Sequence, residues 1–138
     1  MKVSETAIAP VVAEASERMH DSKYISGQVD KLMSAQPHIT QYVVAHQQDL
    51  SMDGIVLVLF YGALIQRSVA EALGRRPGVV SYAMLDAAAT ATPTIEAFAE
   101  EEGDLASFIA GNVDLGGEAA TKLAIRLLTH VAGALVGA

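Results

Sequence analysis

The chain contains no cysteine, and its basic residues are few. Without cysteine there can be no disulfide bond, no thiol nucleophile and no thiolate metal ligand. Lysine and arginine together number 9, against 16 aspartates and glutamates, so the formal net charge is -7. Such a chain repels phosphate backbones and anionic lipid headgroups. The composition therefore predicts that neither nucleic acid nor a membrane surface is a general partner.

Motifs with well-defined chemistry are also absent. The chain has no H-E-x-x-H pair, no phosphate-binding G-x-x-x-x-G-K-S/T loop and no G-x-S-x-G nucleophile elbow. A globin-type haem would need a proximal histidine well past the middle of the chain, and none lies between His46 and His130. We therefore expect neither a bound metal nor a cofactor. The opening residues M-K-V-S-E-T-A-I-A-P lack the apolar segment of a signal peptide, which favours a cytoplasmic location.

Charged residues make up only 18% of the chain, whereas hydrophobic residues make up 51%. The mean hydropathy of +0.33 is high for a soluble monomer. Much of the apolar content is alanine, which suits close packing of helices. The excess is also consistent with apolar surface buried against a second subunit. The length of 138 residues predicts a single domain, residues 1–138.

The most apolar run is residues 54–65, G-I-V-L-V-L-F-Y-G-A-L-I, in which one tyrosine hydroxyl is the only polar side-chain group. It predicts a central helix over residues 52–73 whose first half is buried on all sides. Ser51 is suited to cap this helix, and Leu50 and Ile55 then occupy the positions of a hydrophobic staple. Twelve helical residues rise about 18 Å, less than a hydrocarbon core of about 30 Å, so the run favours a soluble core helix over a membrane span.

Apolar residues recur at helical spacing along the rest of the chain, and no strand pattern competes. The pattern predicts an all-α fold, a single compact helical bundle of about six or seven helices around the buried central helix. The other helices are placed as follows: one with Pro10 in its first turn, one over residues 23–35, one from Pro37, one from Pro77, one from Pro93 with Gly103 as a bend or a break, and one from Glu118 to the end.

The candidate ligand-binding residues are Tyr42, His46 and Asp49. His46 lies on the apolar stripe of its predicted helix, with Tyr42 one turn before it and Asp49 three residues after it. A buried histidine that a carboxylate orients can act as a general base or a metal ligand. The simpler interpretation, which we favour, is a histidine at the edge of the core that hydrogen-bonds to Asp49 or to a tyrosine.

Two charged stripes are predicted to be solvated surfaces. Glu118, Lys122, Arg126 and His130 follow one another at intervals of four on the last helix, and a partner-binding or anion-binding ridge is the alternative. The acidic run over residues 100–104 lacks the alternating oxygen ligands of a calcium loop.

Two further features of the sequence have a structural and a functional interpretation. Arg75 and Arg76 follow a helix C-terminus, where cations are favourable, although they could also hold a phosphate or carboxylate. Gly133 and Gly137 form a small-xxx-small pair, which suits either a tight contact within the chain or a homodimer.

Three functional hypotheses follow. The leading one is a non-enzymatic helical protein that acts through a protein partner or as a homodimer, because the apolar content is high and no complete catalytic set exists. The second is a small-ligand binding or sensing domain with an apolar pocket and a few polar groups such as Tyr42, His46 or Arg67. The third is a metal-dependent or acid–base enzyme that uses His46 and Asp49; no catalytic residue is otherwise identified.

Overall fold

Residues 2–138 are described in the computed structural model of the chain, and they form a compact bundle of eight α-helices without a β-strand. The prediction of an all-α bundle is confirmed, with one helix more than the upper expected number. The helices are α1 (Glu5–Arg18), α2 (Ser22–Ala35), α3 (Pro37–Val44), α4 (Gln47–Leu73), α5 (Tyr82–Ala91), α6 (Ile95–Glu101), α7 (Gly103–Asn112) and α8 (Glu118–Val136).

The central helix of the bundle is α4. Helices α1, α2, α3 and α8 all pack against it, and Val58, Phe60 and Ile65 have no exposed surface at all. The expectation that its first half is buried on all sides is wrong in one respect. Val56 is 38% exposed, because one face of the first half is left uncovered by the surrounding helices.

The body of α4 begins at a kink. Ser51 has φ 64° and ψ 172°, a backbone conformation that is strained for a residue with a side chain. Its hydroxyl oxygen accepts a hydrogen bond from the Gly54 amide at 3.3 Å. Leu50, which precedes it, and Ile55 are both buried. The predicted serine cap is therefore present, with one short helical turn, residues 47–50, before it.

The acidic run near α6 and α7 holds the N-terminal segment, so the prediction that it is a fully solvated face is wrong. Glu102 is only 5% exposed and accepts a hydrogen bond from the Val3 amide at 2.7 Å. Asp104 accepts one from the Glu5 amide at 2.9 Å. This second bond satisfies a free amide at the start of α1. It helps explain why α1 begins at Glu5 and leaves Pro10 inside the helix rather than in its first turn.

The start of α5 differs from the prediction because of a long-range contact. The segment after Pro77 is not helical, and α5 begins only at Tyr82, where the Ser81 hydroxyl accepts a hydrogen bond from the Met84 amide. Before that point the backbone is bonded to the buried side chain of Gln36. Side-chain bonds to the backbone thus replace the helical bonds that a proline start would predict.

Glycine allows a close helix crossing between α5 and α8. A Cβ atom placed on Gly133 would lie 3.2 Å from the Cβ atom of Ala88. The face of Gly133 is therefore filled within the chain, as the tight-contact interpretation predicted. By length and composition alone, α4 and α8 are apolar enough to cross a membrane, but 61% and 50% of their apolar windows are buried inside the bundle.

Candidate functional site

The three residues predicted to form a site do not form one polar cluster. Helix α3 ends at Val44, so His46 lies in the connection to α4, and Asp49 is exposed in the next turn. His46 touches the edge of the Tyr42 ring, with the ring centroids 6.3 Å apart. In the described chain, no side-chain hydrogen bond joins His46 to Asp49. The orienting carboxylate expected from the spacing is therefore missing, and ligand binding by these three residues stays a prediction.

Tyr42 instead pairs with a histidine from the far end of the chain. The distance from its hydroxyl oxygen to Nδ1 of His130 is 2.8 Å, and Nε2 of His130 lies 3.3 Å from the carbonyl oxygen of Pro93. Because the carbonyl can only accept, Nε2 carries the proton, and Nδ1 accepts from the tyrosine. His130 is 7% exposed, so its predicted place on a solvated stripe is wrong, although Lys122 and Arg126 on that stripe are exposed.

Both members of this pair are held in their neutral forms. Burial lowers the pKa of His130, and the charge of Arg126 lowers it further, while the Pro93 carbonyl acts in the opposite direction. Burial also raises the pKa of the Tyr42 hydroxyl. The pair therefore joins α3, α8 and the Pro93 connection as a neutral structural contact.

We expect this contact to make stability depend on pH. The unfolded chain protonates His130 near its ordinary pKa of 6.5, whereas the folded protein does so only at lower pH. As the pH falls from 6.5 toward the folded-state pKa, the unfolded state takes up the proton first, so the melting temperature falls. Melting curves measured between pH 7 and 5 give the slope of melting temperature against pH. His130→Asn should flatten this slope, and His20→Asn, at an exposed position, should not. Equal slopes in the wild type and both variants would mean that His130 is not the source of the pH dependence.

A groove of about 800 Å³ lies between α1, α2 and α4. Helices α1 and α2 both pack on α4, but their backbones lie apart and their contacts are made by side chains, which leaves space between them. Buried Leu32 and Ala63 supply apolar lining. The complete lining consists of Glu14, Arg18, Gln28, Asp30, Lys31, Leu32, Ser34, Ala35, Ala63, Gln66, Arg67, Ala70, Arg76 and Pro77.

The groove concentrates positive charge in an acidic protein. Four of the nine basic residues of the chain line it, against two carboxylates. Among residues 2–138, Arg67 is the only one of these four with an ion-pair partner. Arg18 lies over the ring of Tyr24, with its guanidinium carbon 4.7 Å from the ring centroid, and Lys31 and Arg76 are exposed.

At one end of the groove, three lining residues belong to a hydrogen-bonded cluster, which we call the Arg67 network (Glu14, Tyr24, Gln28 and Arg67). Nη2 of Arg67 lies 2.5 Å from Oε2 of Glu14, and Nη1 donates to the Tyr24 hydroxyl at 3.2 Å and to Oε1 of Gln28 at 3.4 Å. The Tyr24 hydroxyl in turn donates to Glu14 at 3.2 Å. The hydrogen bond from Arg67 lowers the pKa of Glu14, so this carboxylate is charged at neutral pH.

The other end, which we call the loop end, lies at the connection from α4 to α5. Gln36, at the end of α2, is 1% exposed. Its Nε2 donates to the Gly78 carbonyl at 2.9 Å, and its Oε1 accepts from the Val80 amide at 2.8 Å. These bonds fix the chain that carries Arg76 against α2. On α2 the lining runs from Gln28 to Ala35, seven residues, which corresponds to about 10 Å of helical rise.

Between the two ends, Gln66 on α4 also lines the groove. Its Oε1 atom is buried and has no hydrogen-bond partner in the described chain. Buried side-chain acceptors are nearly always bonded in folded proteins, so an unpaired one beside a cavity is unusual. Because this atom has almost no accessible surface, a ligand in the open groove does not contact it.

Most of this site could not be read from local sequence. Arg67 was identified, but Tyr24, Gln28 and Gln36 meet their partners across roughly 40 residues of chain. Among residues 2–138, no group of three histidine, aspartate or glutamate side chains is placed to share a metal ion. Comparisons with protein-family models, with curated proteins and with solved structures found no match, so the functional argument rests on this chain alone.

Proposed function

We propose that the protein is a non-enzymatic domain that binds a small organic anion in the groove between α1, α2 and α4. The observation that carries the proposal is the gathering of Arg18, Lys31, Arg67 and Arg76 around one cavity in a chain of net charge -7. The volume of about 800 Å³ lies within the range of roughly 300–1,000 Å³ that is typical of small-molecule sites.

The electrostatics of the groove favour an anion over a cation or a neutral ligand. Lys31, Arg76 and Arg18 are not neutralised by an ion pair within the described chain, so the lining carries more positive than negative charge. An anionic group can accept charge-assisted hydrogen bonds from them. The positive groove also attracts an anion locally, although the protein as a whole is acidic.

The groove lining supports binding rather than catalysis. In the described chain, no histidine lines the groove. The one hydroxyl in the lining is that of Ser34, which is exposed and has no base hydrogen-bonded to it. A catalytic serine needs such a base to become a nucleophile. In the Tyr42–His130 pair, the base is His130, but both of its ring nitrogens are already hydrogen-bonded. Neither residue of the pair lines the groove.

Calorimetric titrations with octanoate, citrate and inorganic phosphate test the proposal. At least one of these anions should bind the wild-type protein, and Arg76→Gln should weaken that binding about tenfold, because it removes a charge-assisted hydrogen bond from an exposed side chain. Arg126→Gln is the matched control: it removes the same charge from an exposed side chain that has no ion pair in the described chain and does not line the groove. We expect its effect to be smaller than about threefold. Binding that both variants weaken equally, or no binding at all, would refute the proposal.

A second candidate is the leading hypothesis from the sequence, action through a protein partner or as a homodimer. It is favoured by Met52 and Val56, which lie one turn apart on α4 and are 62% and 38% exposed. Adjacent exposed apolar side chains are typical of contact surfaces. Light scattering distinguishes the candidates, because a clean monomer at high concentration would count against the homodimer and leave the ligand-binding proposal intact.

A further inference from the structure

The connection from α4 to α5 contains an extended segment, residues 77–81. Its side chains alternate as they do in a β-strand: Val79 is 60% exposed, whereas the next residue, Val80, has no exposed surface. Ser81, at the end of the segment, has φ -92° and ψ 166°, which is an extended conformation. In an extended backbone, the N–H and C=O groups of one residue point to one edge, and those of the next residue point to the opposite edge.

One edge of this segment is hydrogen-bonded within the chain. The Gln36 side chain donates to the Gly78 carbonyl at 2.9 Å and accepts from the Val80 amide at 2.8 Å. The Gly78 amide donates to the Ala138 carbonyl at 3.4 Å. A residue of a neighbouring strand makes the same kind of paired bonds to a carbonyl and an amide, so the Gln36 side chain holds the segment extended as a strand would.

The opposite edge, which we call the free edge, is made by the Pro77 carbonyl, both backbone groups of Val79 and the Ser81 amide. None of these four groups has a hydrogen-bond partner in the described chain. Backbone polar groups are rarely both buried and unpaired, so these groups face water. A row of unpaired N–H and C=O groups on an extended segment is the feature to which another extended chain can be added as a strand.

Apolar side chains lie beside the free edge. Val79 and Tyr82 are among the most exposed large apolar residues of the described chain, at 60% and 49%. The Tyr82 ring is held by an edge contact with His38, and the two ring centroids are 4.7 Å apart. An added chain can therefore bury apolar surface in addition to the hydrogen bonds that it makes.

The charges around the free edge differ at its two ends. Arg75 and Arg76 precede the segment, are exposed and have no ion-pair partner among residues 2–138. The nearest carboxylates along the sequence are Glu71, before the end of α4, and Asp86, which lies on α5 one turn beyond Tyr82; neither is in an ion pair. Acidic residues of an added chain are therefore favoured beside the two arginines and not at the Asp86 end.

We propose that the free edge of residues 77–81 is a docking site for an extended segment of a partner protein whose C-terminal residues are acidic. The partner segment pairs antiparallel to the free edge, since antiparallel pairing is slightly more stable than parallel pairing. In this direction its C-terminal residues lie beside Arg75 and Arg76. The site is separate from the groove, because neither Arg75 nor Val79 lines the groove.

Three peptides, acetylated and amidated at their ends, test the proposal. The probe is T-V-T-V-T-E-E; T-V-T-V-T-K-K reverses its charge, and P-P-P-P-P-E-E keeps the charge but has no N–H group in its first five residues. In calorimetric titrations of the wild-type protein, the probe should bind saturably, and each of the other two should bind at least about tenfold more weakly. In amide proton–nitrogen spectra, the probe should shift the resonances of Val79 and Ser81 most.

Val79→Pro is the variant that removes a hydrogen-bond donor from the free edge. The Val79 N–H makes no bond within the described chain, so the change breaks no internal hydrogen bond. It should weaken binding of the probe at least about tenfold, whereas Val79→Thr, which keeps the N–H, should change it less than about threefold. Arg75→Gln should weaken the same binding about threefold, because it removes one exposed charge pair.

Four results would overturn the proposal. The first is that the probe does not bind saturably, and the second is that Val79→Pro binds the probe as the wild type does. The third is that P-P-P-P-P-E-E binds as tightly as the probe, because the contact would then depend on charge alone. The fourth is self-association in light scattering that Val79→Pro abolishes, because a second copy would then occupy the free edge. The peptide comparison on the wild-type protein decides the matter even if Val79→Pro folds poorly.

Discussion

Replacement of Val58 by aspartate is expected to unfold the protein. The Val58 side chain has no exposed surface and lies in the apolar half of α4, against which four other helices pack. A carboxylate there would have no partner and no water, and burying it costs at least about 4 kcal/mol. Since a domain of this size is typically stable by about 5–15 kcal/mol, the variant should lose most or all of its cooperative melting transition in circular dichroism.

Val56→Asp is a matched control for this experiment. It makes the same substitution two residues earlier in the same helix, at a side chain that is 38% exposed. A solvated aspartate should change the free energy of unfolding by about 1 kcal/mol or less. If Val58→Asp melts like Val56→Asp, then α4 is not the buried centre of the bundle.

Gln36→Leu should cost about 3 kcal/mol of stability and weaken binding of anions in the groove. Leucine fills a similar volume but leaves the Val80 amide and the Gly78 carbonyl without their side-chain partner. The Val80 amide is buried, so leaving it unpaired costs about 1–3 kcal/mol, and the part-buried bond to Gly78 adds less. The connection that carries Arg76 is then released from α2, so the affinity for anions in the calorimetric titration should fall as well. Thermal melting and calorimetric titration measure the two effects.

The control for Gln36→Leu is Gln41→Leu, at an exposed position on α3. It introduces the same apolar side chain without removing a buried hydrogen bond, so we expect little change in melting temperature. An unchanged melting temperature for Gln36→Leu would mean that Gln36 does not anchor the connection. Lower stability with undiminished anion binding would mean that the anchoring does not matter for the site.

Local sequence carries most of the information on the fold. The run of apolar residues over 54–65, the cap at Ser51 and the helix end at Gly74 identify α4, because each depends on residues within a few positions of one another. The start of α5 was misplaced since its determinant, Gln36, lies more than 40 residues away. Proline at a favourable position predicts a helix start only when no distant side chain binds the same backbone groups.

The candidate site was much less predictable, and for the same reason. Periodicity placed Tyr42 on an apolar stripe, but its partner turned out to be His130, 88 residues further along, rather than His46. The spacing of four residues predicted that His130 lies on a solvated stripe. This prediction was wrong because the sequence does not show which neighbouring elements cover that part of the helix. The groove itself depends on α1 and α2 lying apart on α4, and no local pattern encodes that separation.

The most direct test of the central claim is to locate a bound anion in solution. Amide proton–nitrogen spectra of the wild-type protein, titrated with octanoate, report which backbone groups sense the ligand. We expect saturable shifts concentrated in the last turns of α2, near Gln66 on α4 and at Arg76 and Gly78 at the loop end. Saturable shifts confined to the Met52 and Val56 face, or shifts that never saturate, would contradict the assignment of the groove as the binding site.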